Sequence, residues 1–70
     1  MKNAHLPLNQ LVLVENPYNR ERYTIGALSF KDVSDLRNKG RCKLISSCQD
    51  TVANREILGR EACLWNKNIA

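Results

Sequence analysis

The first patterned stretch of the chain runs from Leu8 to Glu15. Its apolar positions fall together as Leu11-Val12-Leu13-Val14, with β-branched Val12 and Val14 and no helix cap in front. An unbroken apolar run of this kind reads as a strand buried on both faces, or one placed centrally in a sheet. Asn16-Pro17-Tyr18-Asn19 follows as a turn signal, since Pro17 fixes its own φ and Asn tolerates unusual backbone. Arg22 to Leu28 then alternates, with Tyr23, Ile25 and Ala27 on one face and Arg22, Thr24 and Gly26 on the other. The two runs predict a β-hairpin joined by a loop of five or six residues.

The period changes at Ser29. Ser29 and Asp32 form a capping-box pattern, and Phe30, Val33 and Leu36 recur at helical spacing. Asp32 and Asp35 come early and Arg37 and Lys39 late, as the helix dipole favours, and Gly40 is placed to end the helix in a left-handed conformation. A helix from Phe30 to about Asn38 follows. Arg41 to Ser47 alternates again and reads as a third strand. Gln49-Asp50-Thr51 punctuates the chain, with Asp50 as a candidate cap for what comes next.

Residues 52–65 carry two patterns at once. As a helix, Ala53, Ile57 and Leu64 point one way, and Leu58, Ala62 and Trp65 another, with Asn54 and Glu61 between them. As a hairpin, Gly59-Arg60 is a two-residue turn with Gly first. The helix is the first reading and the hairpin the alternative. Either way the fold class is α+β: a small antiparallel sheet beginning with a β-hairpin, with one or two helices packed on one face. The expected core is Leu11, Leu13, Ile25, Phe30, Val33, Leu36 and Leu44, with Trp65 or Leu58. Residues 1–7 read as a flexible arm docking through Leu6 and Leu8, and 66–70 as a frayed end.

Composition narrows the class. Seventy residues make a single domain, 1–70, and Leu, Ile, Val and Phe number 18 of them, enough to form a core. A domain this small buries only roughly 60% of its unfolded surface, so a deep enzyme pocket is hard to enclose. The longest apolar run has four residues, where a membrane helix needs about 20. The N-terminal stretch lacks the apolar core of a secretory signal, so the expected compartment is cytoplasmic. Cys42, Cys48 and Cys63 make an odd count, which predicts reduced thiols. With His5 they are the available zinc ligands, but their spacing is wrong for a knuckle, and neither a metal nor a cofactor is expected. His5 is the single histidine and the three glycines are isolated, so neither a nucleophile–histidine pair nor a phosphate loop is indicated.

The net charge of +4 changes the picture more. Arg37, Lys39, Arg41 and Lys43 place four cations within seven residues with no acid between them, where the helix ends and the third strand begins. Such a patch attracts phosphates or an acidic protein surface; its plainer role is to complement the helix C-terminus and solvate a strand. The hairpin loop offers Tyr18, Arg20 and Arg22, residue types that dominate binding hot spots. Trp65 either closes the core or anchors a partner.

In build the chain resembles small bacteriophage-encoded regulators that seize a host complex such as bacterial RNA polymerase. It has about 70 residues, one compact domain, no catalytic motif, positive charge and exposed Arg and Tyr. The resemblance implies a non-enzymatic regulator that binds a larger protein complex. It carries no residue roles; charge and residue type place the expected contact of a monomer at Tyr18, Arg20, Arg22, Arg37, Lys39, Arg41 and Lys43. A second resemblance covers 51–65, which is similar to the helix-turn-helix of excisionase-like DNA binders in its apolar pair before Gly59 and its late Leu64-Trp65. It is one residue short between Gly59 and Leu64, and Glu56 and Glu61 oppose phosphate contact. A small DNA-binding domain is therefore the alternative.

Overall fold

A computed structural model describes residues 8–69. The chain forms β1 (Gln10–Glu15), β2 (Arg22–Leu28), α1 (Phe30–Lys39), β3 (Lys43–Gln49) and α2 (Val52–Ile69). The sheet is antiparallel with strand order β2-β1-β3. The apolar run is thus the central strand, and β1 and β2 form the expected hairpin. Because β2 and β3 both run against β1, they are parallel to each other, and α1 crosses over β1 to connect them.

Burial of β1 on both faces makes two cores. Leu11 and Leu13 pack with Leu58 and Ala62 of α2, backed by Ile45 and Cys48. Val12 and Val14 pack with Val33 of α1, backed by Ile25, Leu28, Leu36, Cys42 and Leu44. The helices therefore lie on opposite faces of the sheet, not on one. The reason is the alternation of β1 itself: side chains at successive positions point to opposite faces, so four consecutive apolar residues need a cover on each side.

The capping box at Ser29 is present. Asp32 N–H donates to Ser29 Oγ at 3.1 Å and Ser29 N–H donates to Asp32 Oδ2 at 3.0 Å. Gly40 ends α1 at φ +70°. Phe30 departs from the expected core and is 59% exposed. As the first residue of a helix that starts two residues after β2 ends, it overhangs the sheet. Ala27 also leaves its expected face. The register slips between Gln10 and Val12, and Ala27, at φ +55°, is exposed in the resulting bulge. A second irregularity sets Ile45 between the pairs Leu13–Ser46 and Val14–Leu44.

Residues 52–69 settle as one helix. Its cap is Thr51, not Asp50: Asn54 N–H donates to Thr51 Oγ1 at 3.1 Å. A helix passes straight through Gly59, so the helix-turn-helix reading of 51–65 is overturned. Leu58 and Ala62 face the sheet, while Ile57 and Leu64 stay exposed. The helix also continues past 65 instead of fraying, because Asn66 binds β2. Residues 1–7 and their proposed docking lie outside the described residues; Leu8 is exposed.

Beyond the backbone of its own helix and its chain neighbours, no atom would lie within 4 Å of a Cβ at Gly59. Gly59→Ala is therefore expected to stabilise the protein by about 0.5–1 kcal/mol. Thermal denaturation followed by circular dichroism should show a rise of a few degrees, and a fall would mean that the helix needs Gly59 for a reason its geometry does not reveal.

Candidate functional site

The antiparallel ladder decides where the cations go. Glu15 pairs with Arg22 on one side and Lys43 on the other. The hairpin loop, the start of β3 and the C-terminal ends of both helices therefore share one end of the sheet. Three segments separated in sequence bring Arg20, Arg37, Lys39, Arg41, Lys43 and Lys67 to that end, all exposed. None of the six forms an ion pair among the described residues. Exposed Glu21 is the acid of the same loop; Glu15, also at this end, is buried.

The loop is held by its own asparagines and by α2. Tyr18 N–H donates to Asn16 Oδ1 at 2.9 Å, and Glu21 N–H to Asn19 Oδ1 at 3.0 Å. These side-chain turns lift Tyr18 into solvent, where it is 94% exposed. Trp65 Nε1–H donates to the Arg20 carbonyl at 2.8 Å. That bond ties the tip to α2 and helps hold Arg20 at φ +66°, in the left-handed region. The Arg20 guanidinium lies 5.4 Å from the Trp65 ring centre and stays exposed.

Arg22 has a different role from its neighbours. Its Nε donates to Glu15 Oε1 at 2.9 Å, and its guanidinium carbon stands 3.6 Å from the Trp65 ring centre. The side chain is sandwiched between a buried carboxylate and an aromatic face, which neutralises Glu15 where the strand is closed off from water. Its charge is spent inside the fold. Asn66 completes the anchorage by gripping the Arg22 backbone: it accepts from the N–H at 2.7 Å and donates to the carbonyl at 2.9 Å. This is the pairing that a further strand would make at the β2 edge.

The basic run occupies the α1–β3 junction as the sequence indicates. Arg37 and Lys39 are in the last turn of α1, Arg41 follows Gly40, and Lys43 opens β3. Lys39 and Arg41 also form one end of an open groove of about 480 Å³ along α1, floored by Ile25, Leu28 and Leu36, with Asp32 and Asp35 towards its other end. Sequence reasoning missed Lys67 because the C-terminal residues lacked an apolar pattern. The signal that reveals them is Asn66, whose amide supplies what a β-edge lacks.

The opposite end of the sheet is organised around Asp50. Its carboxylate accepts the bulge N–H of Ala27 at 2.6 Å and receives Arg55 through both Nε and Nη2. Its backbone N–H donates to the Asn9 carbonyl at 2.6 Å. Asp50 thus joins β2, the segment leading into β1, and the start of α2. The Arg55 bonds and the Ala27 N–H hold its carboxyl down at about 2, well below the usual 3.8. A Cβ at Gly26 would come within 2.7 Å of Arg55 Nη2 and 2.8 Å of Asp50 Oδ2, so any larger residue there would have to displace the Asp50–Arg55 pair.

The cysteines do not converge. Cys42 backs the core on the α1 side, Cys48 the core on the α2 side, and Cys63 is exposed on α2. Among the described residues no group of histidine, cysteine and acidic side chains is arranged to hold a metal ion, and no helix is long and apolar enough to cross a membrane. No protein-family model, curated protein or solved structure matches this chain.

Proposed function

We propose that this protein is a small non-enzymatic regulator that binds a larger protein complex through its basic end, with bacterial RNA polymerase as the first candidate. The observation that carries this reading is the gathering, from three separate segments, of six exposed cations that form no ion pair among the described residues, beside the exposed Tyr18. Complementing two helix C-termini does not require Arg20, Arg41 or Lys43. An acidic protein surface does use such an array, with the aromatic and arginine side chains as anchors and the lysines steering approach. Tyr18, Arg20, Arg37, Lys39, Arg41 and Lys43 form the contact surface in this reading, while Arg22 supports it from below.

Binding of purified bacterial RNA polymerase, with transcription assayed in parallel, tests the proposal. Arg20→Glu with Tyr18→Ala should weaken the complex by about 30-fold or more, since a hot-spot side chain typically contributes at least about 2 kcal/mol. Lys39→Glu with Lys43→Glu should chiefly slow association and flatten its salt dependence. Arg22→Glu is expected to damage the fold itself, through Glu15 and Trp65, and so is unsuitable as an interface probe. Absence of any complex, together with tight duplex DNA binding whose logarithm falls linearly with that of salt, would sink this reading in favour of DNA binding.

A further inference from the structure

The groove between α1 and β2 has two ends of different charge. Ile25, Leu28 and Leu36 floor it, all three half-buried. They back the Val12, Val14 and Val33 core on one side and meet solvent on the other.

The acids in the groove wall are already engaged. Asp32 accepts the Ser29 N–H at 3.0 Å as part of the helix cap, and Asp35 holds Lys31 at 3.2 Å. At the other end Lys39 and Arg41 are exposed and form no ion pair among the described residues. The C-terminus of α1 opposes these two cations only in part, since its dipole amounts to about half an elementary charge. Uncompensated positive charge thus stands at one end of an aliphatic floor.

We infer that this groove receives an acidic segment of the partner protein, with one or two large aliphatic side chains on Ile25, Leu28 and Leu36 and carboxylates at Lys39 and Arg41. The inference rests on reading the basic end as a protein-binding surface, and it adds the groove to that surface. Spacing sets the order of residues in the segment. Lys39 lies three residues beyond Leu36, about 4.5 Å along the helix axis, which one or two residues of extended chain span. The carboxylates therefore adjoin the aliphatic residues. A nucleic acid would match the cations, but no aromatic side chain lines the groove for a base to stack on, and phosphates gain nothing from the aliphatic floor. A small molecule needs walls that bury most of its surface, which an open groove lacks. Residues 1–7 contain Lys2 and no acid, so they do not complement the basic end.

Titration of the full chain with a fluorescein-labelled peptide, two leucines followed by a run of glutamates, tests this by anisotropy and by methyl NMR. The methyl signals of Ile25, Leu28 and Leu36 should move with saturable binding, while those of Ile57 and Leu64, exposed on α2 across the sheet, stay still. Serines in place of the leucines, or lysines in place of the glutamates, should each weaken binding at least about tenfold. Arg41→Glu, at an exposed position, should do the same with circular dichroism unchanged. Groove methyls that move with these dependences uphold the inference even where no complex with RNA polymerase forms. Groove methyls that stay still overturn it, even where RNA polymerase binds through Tyr18 and Arg20. It is equally overturned by a serine peptide that binds as well, by single-stranded DNA that moves the same methyls as strongly, or by Overhauser contacts from Leu6 to Ile25 in the free protein.

Discussion

Trp65→Ala is expected to cost about 2–4 kcal/mol, a large part of the few kcal/mol that roughly 0.05–0.15 per residue gives a domain of this size. The loss has three sources. The ring covers the Arg22 guanidinium, whose other partner is the buried Glu15. Its Nε1–H is the donor that ties the Arg20 carbonyl to α2. Removing the ring also opens the contact between the last turns of α2 and the hairpin, which Asn66 alone must then hold. Thermal denaturation should shift down by about 4–8 °C per kcal/mol lost. Trp65→Phe separates the contributions: it keeps an aromatic face over Arg22 and loses only the hydrogen bond, at about 1 kcal/mol. Amide exchange in residues 16–21 should rise in both variants, and more in the alanine one. An alanine variant as stable as the parent would mean that the hairpin end is held by the strands alone. The same contact links stability to the proposed binding surface, because Arg20 is presented by a backbone that Trp65 fixes.

Asp50 governs the other end, and its effect is expected to depend on pH. In the folded protein its carboxyl titrates at about 2, against 3.8 unperturbed. A carboxyl depressed on folding adds stability that is fully present above the unfolded value. That stability is lost as pH falls through the folded one. The urea midpoint should therefore be flat from neutral pH to about 5 and fall between about 5 and 2. Asp32 titrates in the same direction, held down first by the Ser29 backbone N–H and then by its hydroxyl. Asp50→Asn should remove most of the acid-dependent fall and lower the neutral-pH midpoint, since the amide still accepts from Ala27 but no longer attracts Arg55. Asp50→Ala should be worse, leaving the bulge N–H without its acceptor. Arg55→Ala should be the mildest of the three, because Arg55 is largely exposed and Asp50 keeps Ala27. A midpoint of Asp50→Ala equal to that of Arg55→Ala would show that the bulge bond contributes nothing.

Much of this architecture is written locally. The run Leu11–Val14 states that its strand is central, because no one-sided strand has four apolar neighbours in a row. Ser29, Asp32 and Gly40 state where α1 starts and stops, because caps act on backbone groups within one turn. The basic run is equally plain, since like-charged side chains in solvent need no tertiary partner. What local pattern cannot state is which flank of α2 turns inward. Leu58 and Ala62 compete with Ala53, Ile57 and Leu64 on similar terms, and only the surface offered by Leu11 and Leu13 decides between them. Nor does pattern foretell that Arg22 folds back between Glu15 and Trp65 while Arg20, two residues earlier, stays outside. That choice rests on bonds spanning more than forty residues, from Trp65 and Asn66 to the hairpin. The sequence by itself determined the strands, the first helix and the charge. The tertiary structure decided which cations remain available to a partner, because a guanidinium is withdrawn only where the folded chain brings it a carboxylate and a ring.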